Sequence, residues 1–95
     1  MKDRKLENCL VYDMVRQENL RQIDKWGIQD HDPFRWLAFL TEEVGELAEA
    51  ISEWEFRGGL PSEVVKEAIQ AATLSLKIAE MFLEEGRNGT DQIEG

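Results

Sequence analysis

Acidic residues recur at helical spacing in two segments of this chain. At about 100° per residue, Glu43 and Glu46 lie on one flank of a helix. Glu63, Glu67 and Gln70 form a stripe on a later helix in the same way. If the two flanks face each other, at least three carboxylates meet in one pocket. Because like charges at close range require protons or a cation between them, the pattern predicts a site for a hard divalent ion, with Mg²⁺ as the leading candidate.

A glutamate-rich helix is more often a solvated face, and the position of Glu43 decides between the two interpretations. Apolar residues on the same helix recur at intervals of three and four and predict a core stripe: Leu37, Leu40, Val44, Leu47, Ile51 and Trp54. Glu43 projects within about 40° of Leu47 and Trp54, at the edge of this stripe. A carboxylate at a buried edge requires a partner, which favours the metal site.

The elements that must position these residues are predicted to be helices, with no strands. The first helix is expected from about Lys5 to Lys25, ending before a glycine. Asp32 is the predicted N-cap of the second helix, with Pro33 at its first position, where the missing N–H costs nothing. We expect this helix to end near Glu55, before a Gly-Gly-Leu-Pro turn.

A third helix is predicted with Ser62 as its N-cap, running to about Glu85 and ending at Gly86 or Gly89. The polar tail, 90–95, is expected to be frayed or disordered. The third helix carries two apolar sectors: Val64, Ala68, Ala72, Ala79 and Phe82 in one, and Val65, Ile69, Leu76 and Leu83 in the other. Two sectors need two packing partners. The predicted fold is therefore an all-α, three-helix protomer whose four-helix-bundle-type core is completed by a homodimer or homotetramer.

Length and composition restrict the class of protein. Ninety-five residues with 42% hydrophobic and 33% charged residues predict one small globular domain, 1–95. The net charge of −9 argues against binding polymeric nucleic acid. Cys9 is the only cysteine, which excludes an internal disulfide and a cysteine-based zinc site. The sequence has no signal-like segment and no apolar run of 18 residues, so we expect a cytoplasmic protein without membrane association.

The segment WLAFLTEEVGELAEAI, 36–51, and the segment EAIQ, 67–70, resemble the EExxE and ExxD motifs of the MazG-like all-α nucleoside triphosphate pyrophosphohydrolases. The resemblance covers about 25–85, most of the chain. It implies an enzyme that uses magnesium to hydrolyse a (deoxy)nucleoside triphosphate to the monophosphate and pyrophosphate. Carried over by position, Glu43, Glu46 and Glu67 would ligate the metal, and Glu42 would be a further ligand or activate water.

Three further residues are candidate substrate contacts. Lys77 lies seven residues after Gln70 on the same helical stripe, where the family often has Lys or Arg; it would bind phosphate, with a surface lysine as the alternative. Trp26 and His31 lie in the region that the family uses for base recognition. Core packing is expected for Trp36 and Trp54.

Gln70 departs from the family pattern, which usually has Asp at this position. Its carbonyl oxygen can ligate Mg²⁺ or Mn²⁺ but brings no negative charge, so the metal would be held less tightly. Two functions therefore remain open: a magnesium-dependent pyrophosphohydrolase, or a non-catalytic helical dimer that binds nucleotides or a partner and has lost a metal ligand.

Overall fold

A computed structural model of the protein describes residues 1–88, with side chains described through Gly86. This part of the chain forms three helices and no strand: α1, Cys9–Trp26; α2, Pro33–Arg57; and α3, Pro61–Asn88. The prediction of an all-α protomer is confirmed, while the predicted frayed tail, 90–95, lies outside the described residues. None of the three helices combines the length and apolar character needed to cross a bilayer.

Helix α1 begins four residues later than predicted. Leu6 adopts a positive φ of 57°, which is incompatible with the predicted helical start at Lys5. Asn8 is the N-cap, and its side chain accepts a hydrogen bond from the backbone N–H of Leu10 at 2.9 Å. The helix ends at Trp26, and Gly27, with a φ of 72°, follows as the predicted stop.

Helix α2 begins as predicted, with Asp32 as N-cap and Pro33 at the first helical position. The Asp32 carboxylate accepts from the backbone N–H groups of Phe34 and Arg35 at 2.9 and 3.0 Å. The helix extends two residues beyond the predicted end, to Arg57, and terminates at Gly58 in the left-handed conformation.

Helix α3 begins at Pro61, so the prediction that Ser62 is its N-cap is wrong; Ser62 lies in the first turn. Proline at the first helical position explains this start, as it does for α2. The helix also continues through Gly86, which was one of the two predicted ends, because a single glycine costs a helix only about 1 kcal/mol. The other, Gly89, lies outside the described residues.

Helix α3 is the centre of the fold. It packs against α2 and against α1, whereas the backbones of α1 and α2 do not approach each other. Its buried residues include Ile69, Thr73 and Leu74, and Trp36 of α2 is buried as predicted. The fully buried Thr73 hydroxyl donates to the backbone carbonyl of Ile69 at 2.8 Å. Helices α1 and α2 therefore both pack against α3, and all three helices contribute to one cavity.

The predicted core stripe of α2 is only partly covered in the single chain. Leu40 and Leu47 are half-buried, but Leu37, Val44, Ile51 and Trp54 are each between 41% and 51% exposed, so the expectation of a buried Trp54 is wrong here. The two sectors of α3 are likewise covered only in part: Val65, Leu76, Phe82 and Leu83 are exposed. Helix α3 covers one side of α2, and the remaining apolar surface faces outward.

Candidate metal centre

Three carboxylates converge where α2 faces α3. The two helices form a hairpin joined by residues 58–60, so the flank of α2 that carries Glu43 and Glu46 lies against the stripe of α3 that carries Glu67. One carboxylate oxygen from each of the three residues lies within 4.8 Å of the other two. The convergence expected from helical spacing is therefore present. We call this group the carboxylate cluster.

Burial and mutual repulsion make the carboxylate cluster a proton-binding site. Glu43 and Glu67 are half-buried and Glu46 is exposed. Burial, followed by the charges of Glu46 and Glu67, raises the pKa of Glu43 to about 7. Burial and a hydrogen bond with Glu46 also raise the pKa of Glu67. Ionising the whole cluster near neutral pH therefore requires a compensating positive charge.

The donor set fits a hard divalent cation. All three groups offer carboxylate oxygens, which are the ligands that Mg²⁺ and Ca²⁺ prefer. Ligands on opposite sides of such an ion are about 4–5 Å apart, which matches the spacing of the cluster. Three carboxylates this close together, two of them half-buried, can thus hold a divalent ion with little rearrangement.

Gln70 lies against this cluster from α3. With its carboxamide oriented to match its surroundings, Nε2 donates to Glu43 Oε2 at 2.9 Å and to Glu67 Oε2 at 3.0 Å. The amide nitrogen, and not the carbonyl oxygen expected for a metal ligand, faces the carboxylates. Gln70 can offer its oxygen to a cation only after the carboxamide has turned over.

A cavity of about 370 Å³ opens beside the carboxylate cluster, and its size lies within the range of about 300–1,000 Å³ of ligand sites. Glu42, Glu43 and Gln70 line one wall. Glu42 is exposed and lies outside the group of three converging carboxylates. It therefore borders the cavity in a position where it can reach solvent and a bound molecule.

Aromatic rings line another part of the cavity: Trp26, Trp36 and Phe39. Trp26 is 52% exposed, and the Lys25 ammonium lies 4.7 Å from its ring centroid. His31 is not among the residues that line this cavity in the described chain. His31 Nε2 forms a hydrogen bond with Gln29 Oε1 at 2.8 Å, and the His31 ring contacts the rings of Trp36 and Phe39 edge to face. The structure thus places Trp26, but not His31, at the predicted substrate region.

Helix α1 supplies the remaining polar wall through Glu18, Arg21 and Gln22. The Glu18 carboxylate accepts from Arg21 Nε and Nη2 at 2.9 and 2.7 Å, and from Gln22 Nε2 at 2.7 Å. Burial opposes ionisation of Glu18, but the hydrogen bonds from Arg21 and Gln22 outweigh it and lower the pKa of Glu18. This carboxylate is therefore ionised and fully engaged.

Lys77, the predicted phosphate ligand, contacts this wall through Gln22 and not through the cavity. Its Nζ donates to Gln22 Oε1 at 2.8 Å, and it is not among the described residues that line the cavity. Burial lowers the pKa of Lys77, partly offset by the charge of Glu18. Neither Glu18 nor Gln22 is among the residues predicted from the sequence; Glu18 lies three residues before Arg21 and four before Gln22 on one helix, and this spacing was the available signal.

The chain matches no protein-family model, no curated protein and no solved structure.

Proposed function

We propose that the protein is a divalent-metal-dependent nucleotide pyrophosphohydrolase that hydrolyses a nucleoside triphosphate to the monophosphate and pyrophosphate, with Mg²⁺ as the physiological ion. The observation that carries the proposal is the carboxylate cluster of Glu43, Glu46 and Glu67, set at the edge of a cavity large enough for a small ligand. The resemblance of segments 36–51 and 67–70 to the MazG-like motifs supports the same activity.

The proposed reaction is the attack of water on the α-phosphorus. The oxygen of water forms a bond to phosphorus, the bond from phosphorus to the bridging oxygen breaks, and pyrophosphate leaves. Bound magnesium would neutralise the phosphates and acidify water. Glu43, Glu46 and Glu67 would hold the ion. Glu42 borders the cavity outside the cluster, and we assign it the task of accepting the proton from the attacking water.

Self-association is part of the proposal. The outward apolar stripe of α2 and the exposed apolar residues of α3 support a homodimer or homotetramer with a four-helix core.

One observation favours a second function. Gln70 donates to both Glu43 and Glu67, so an amide already supplies part of the positive charge density that a cation would bring. A cluster stabilised in this way needs no metal to fold. This supports the alternative of a non-catalytic helical module that binds a nucleotide or a partner.

Pyrophosphate release separates the two functions. The protein is incubated with a panel of nucleoside and deoxynucleoside triphosphates in Mg²⁺ or Mn²⁺, and pyrophosphate is measured. We expect pyrophosphate release with at least one nucleotide. In Glu67→Gln, the rate of release should fall about tenfold or more. Glu63→Gln is the matched control, because it removes the same charge from an exposed position one turn earlier on α3. No release with any nucleotide and either metal would leave the non-catalytic module as the function.

A further inference from the structure

Arg21 is the one cationic residue on the described walls of the cavity. The other ionisable groups that line it are Glu18, Glu42 and Glu43. The Arg21 guanidinium has five N–H donors, of which two are used by Glu18. The other three donate no hydrogen bond within the described chain, and Arg21 Cζ lies 5.8 Å from the ring centroid of Trp26. A guanidinium with free donors at the wall of a cavity is well suited to bind a phosphate group.

The guanidinium is held in place by a chain of hydrogen bonds that crosses from α3 to α1. Lys77 Nζ donates to Gln22 Oε1, Gln22 Nε2 donates to Glu18 Oε2, and Glu18 accepts twice from Arg21. Gln22 is only 8% exposed, and both ends of its carboxamide are engaged. A buried amide with both ends fixed permits a single orientation, which defines where the Glu18 carboxylate lies.

We propose that Arg21 binds the phosphate chain of the substrate across the cavity from the carboxylate cluster, and that Lys77 is a positioning residue that acts on Arg21 through Gln22 and Glu18. The proposal rests on the proposed function, since it names the group that holds the end of the phosphate chain not held by metal. It gives Lys77 a role different from direct phosphate binding, because its ammonium is directed at Gln22 and lies outside the cavity lining.

Binding of inorganic tripolyphosphate in the presence of Mg²⁺, measured by titration calorimetry, tests the proposal without relying on turnover. We expect the Kd for tripolyphosphate to rise about tenfold or more in Arg21→Gln, as for loss of a hydrogen bond between charged groups. The affinity for Mg²⁺ alone should stay unchanged. Arg16→Gln is the matched control, because Arg16 is an exposed arginine on the same helix that does not line the cavity.

A double-mutant cycle separates positioning from direct contact. Lys77→Met should weaken tripolyphosphate binding in the wild-type background and have no further effect in Arg21→Gln. Lys77→Arg, which keeps a donor for Gln22, should restore binding. Additive losses would overturn the proposal, because Lys77 would then act independently of Arg21.

The remaining outcomes distinguish this proposal from the proposed function. If Mg²⁺ binds and tripolyphosphate does not, or binds equally well to Arg21→Gln, the assignment of Arg21 is wrong while the metal site stands. If neither Mg²⁺ nor tripolyphosphate binds, both are wrong.

Discussion

The carboxylate cluster makes protein stability depend on pH in a direction that is unusual for acidic groups. The pKa of Glu43 rises from an ordinary value of 4.5 to about 7 on folding. Between these values the Glu43 carboxyl binds more protons in the folded than in the unfolded chain, so its contribution to stability is fully present below pH 4.5 and is lost as the pH rises through 7. In EDTA, we expect the free energy of unfolding to fall by about 2 kcal/mol from this group between pH 5 and 8, allowing for partial exposure.

Chemical denaturation of Glu43→Gln in EDTA measures this contribution. The variant cannot release the proton, so its stability should depend less on pH and should exceed that of the wild type at pH 8. Glu63→Gln, which removes an exposed charge from the same face of the hairpin, should retain the wild-type slope. Equal slopes for wild type and Glu43→Gln would show that folding does not raise the pKa of Glu43.

If the cluster binds metal, as we propose, Gln70 determines how tightly the metal is held. In Gln70→Asp, the amide that donates to Glu43 and Glu67 becomes a fourth carboxylate, so the variant should be destabilised in EDTA. Added Mg²⁺ should reverse the loss, and we expect the midpoint of stabilisation to shift to about tenfold lower Mg²⁺ than in the wild type. The measurement is the melting temperature across a magnesium titration. Destabilisation that Mg²⁺ does not relieve would contradict the metal centre.

At the scale of residues, the sequence was sufficient for groups whose spacing follows one helix. Glu43 and Glu46 are three residues apart on one helix. The approach of Glu67 to them was predictable because packing the apolar stripes of the two helices together brings their acidic flanks together. The direction of the Gln70 amide and the partner of Lys77 could not be predicted in this way. Both depend on the distance between helices, and the Lys77 to Gln22 bond joins residues 55 positions apart.

At the scale of elements, the turn between α2 and α3 determines whether the two acidic flanks meet. The backbone N–H of Gly59 donates to the carbonyl of Glu53 at 2.9 Å, which folds the chain back onto the end of α2. A Cβ at Gly59 would lie 3.0 Å from backbone atoms of Glu53 and Trp54. Backbone atoms cannot move aside as a flexible side chain can, so a side chain at this position would strain the turn.

Gly59→Ala should therefore destabilise the protein by about 1–3 kcal/mol. Gly45→Ala is the matched control: this glycine lies inside α2 with open space around its Cβ position, and alanine there should stabilise by about 0.5–1 kcal/mol through higher helix propensity. Urea denaturation of both variants gives the comparison. A loss in Gly45→Ala as large as that in Gly59→Ala would show that helix α2 is packed against something at Gly45.

Helix boundaries were predictable where neighbouring residues indicated the same boundary. Asp32 and Pro33 are adjacent and indicate the same start, and α2 begins there. The sequence predicts too early a start for α1 because apolar residues such as Leu6 continue the helical pattern before Asn8, the true N-cap. For α3, Ser62 is a residue type common at N-caps, but Pro61 precedes it, and proline at the first helical position determines the start.

At the scale of the whole molecule, the apolar pattern predicted more buried surface than one chain provides. Helical periodicity identifies which residues avoid water, but it does not say which molecule covers them. Trp36 is buried within the single chain, whereas Ile51 and Val44 on the same helix are about half exposed. The two sectors of α3 show the same division. The prediction of a second copy rests on the apolar surface that the pattern predicts to be buried and that one chain leaves exposed.

Replacing one residue of the outward stripe tests whether a second copy covers it. Ile51→Glu places a charge on the stripe, and burying that charge without a partner would cost about 3–5 kcal/mol. The dissociation constant of the dimer should therefore rise about a hundredfold or more, which light scattering and sedimentation would detect as conversion to monomer. Phe56→Glu is the control, since Phe56 is 79% exposed on the same helix and projects about 140° away from Ile51. If the wild type is a monomer at micromolar concentration, or if both variants dissociate alike, the stripe is not the interface. The four-helix core would then have to be abandoned even if the carboxylate cluster binds metal.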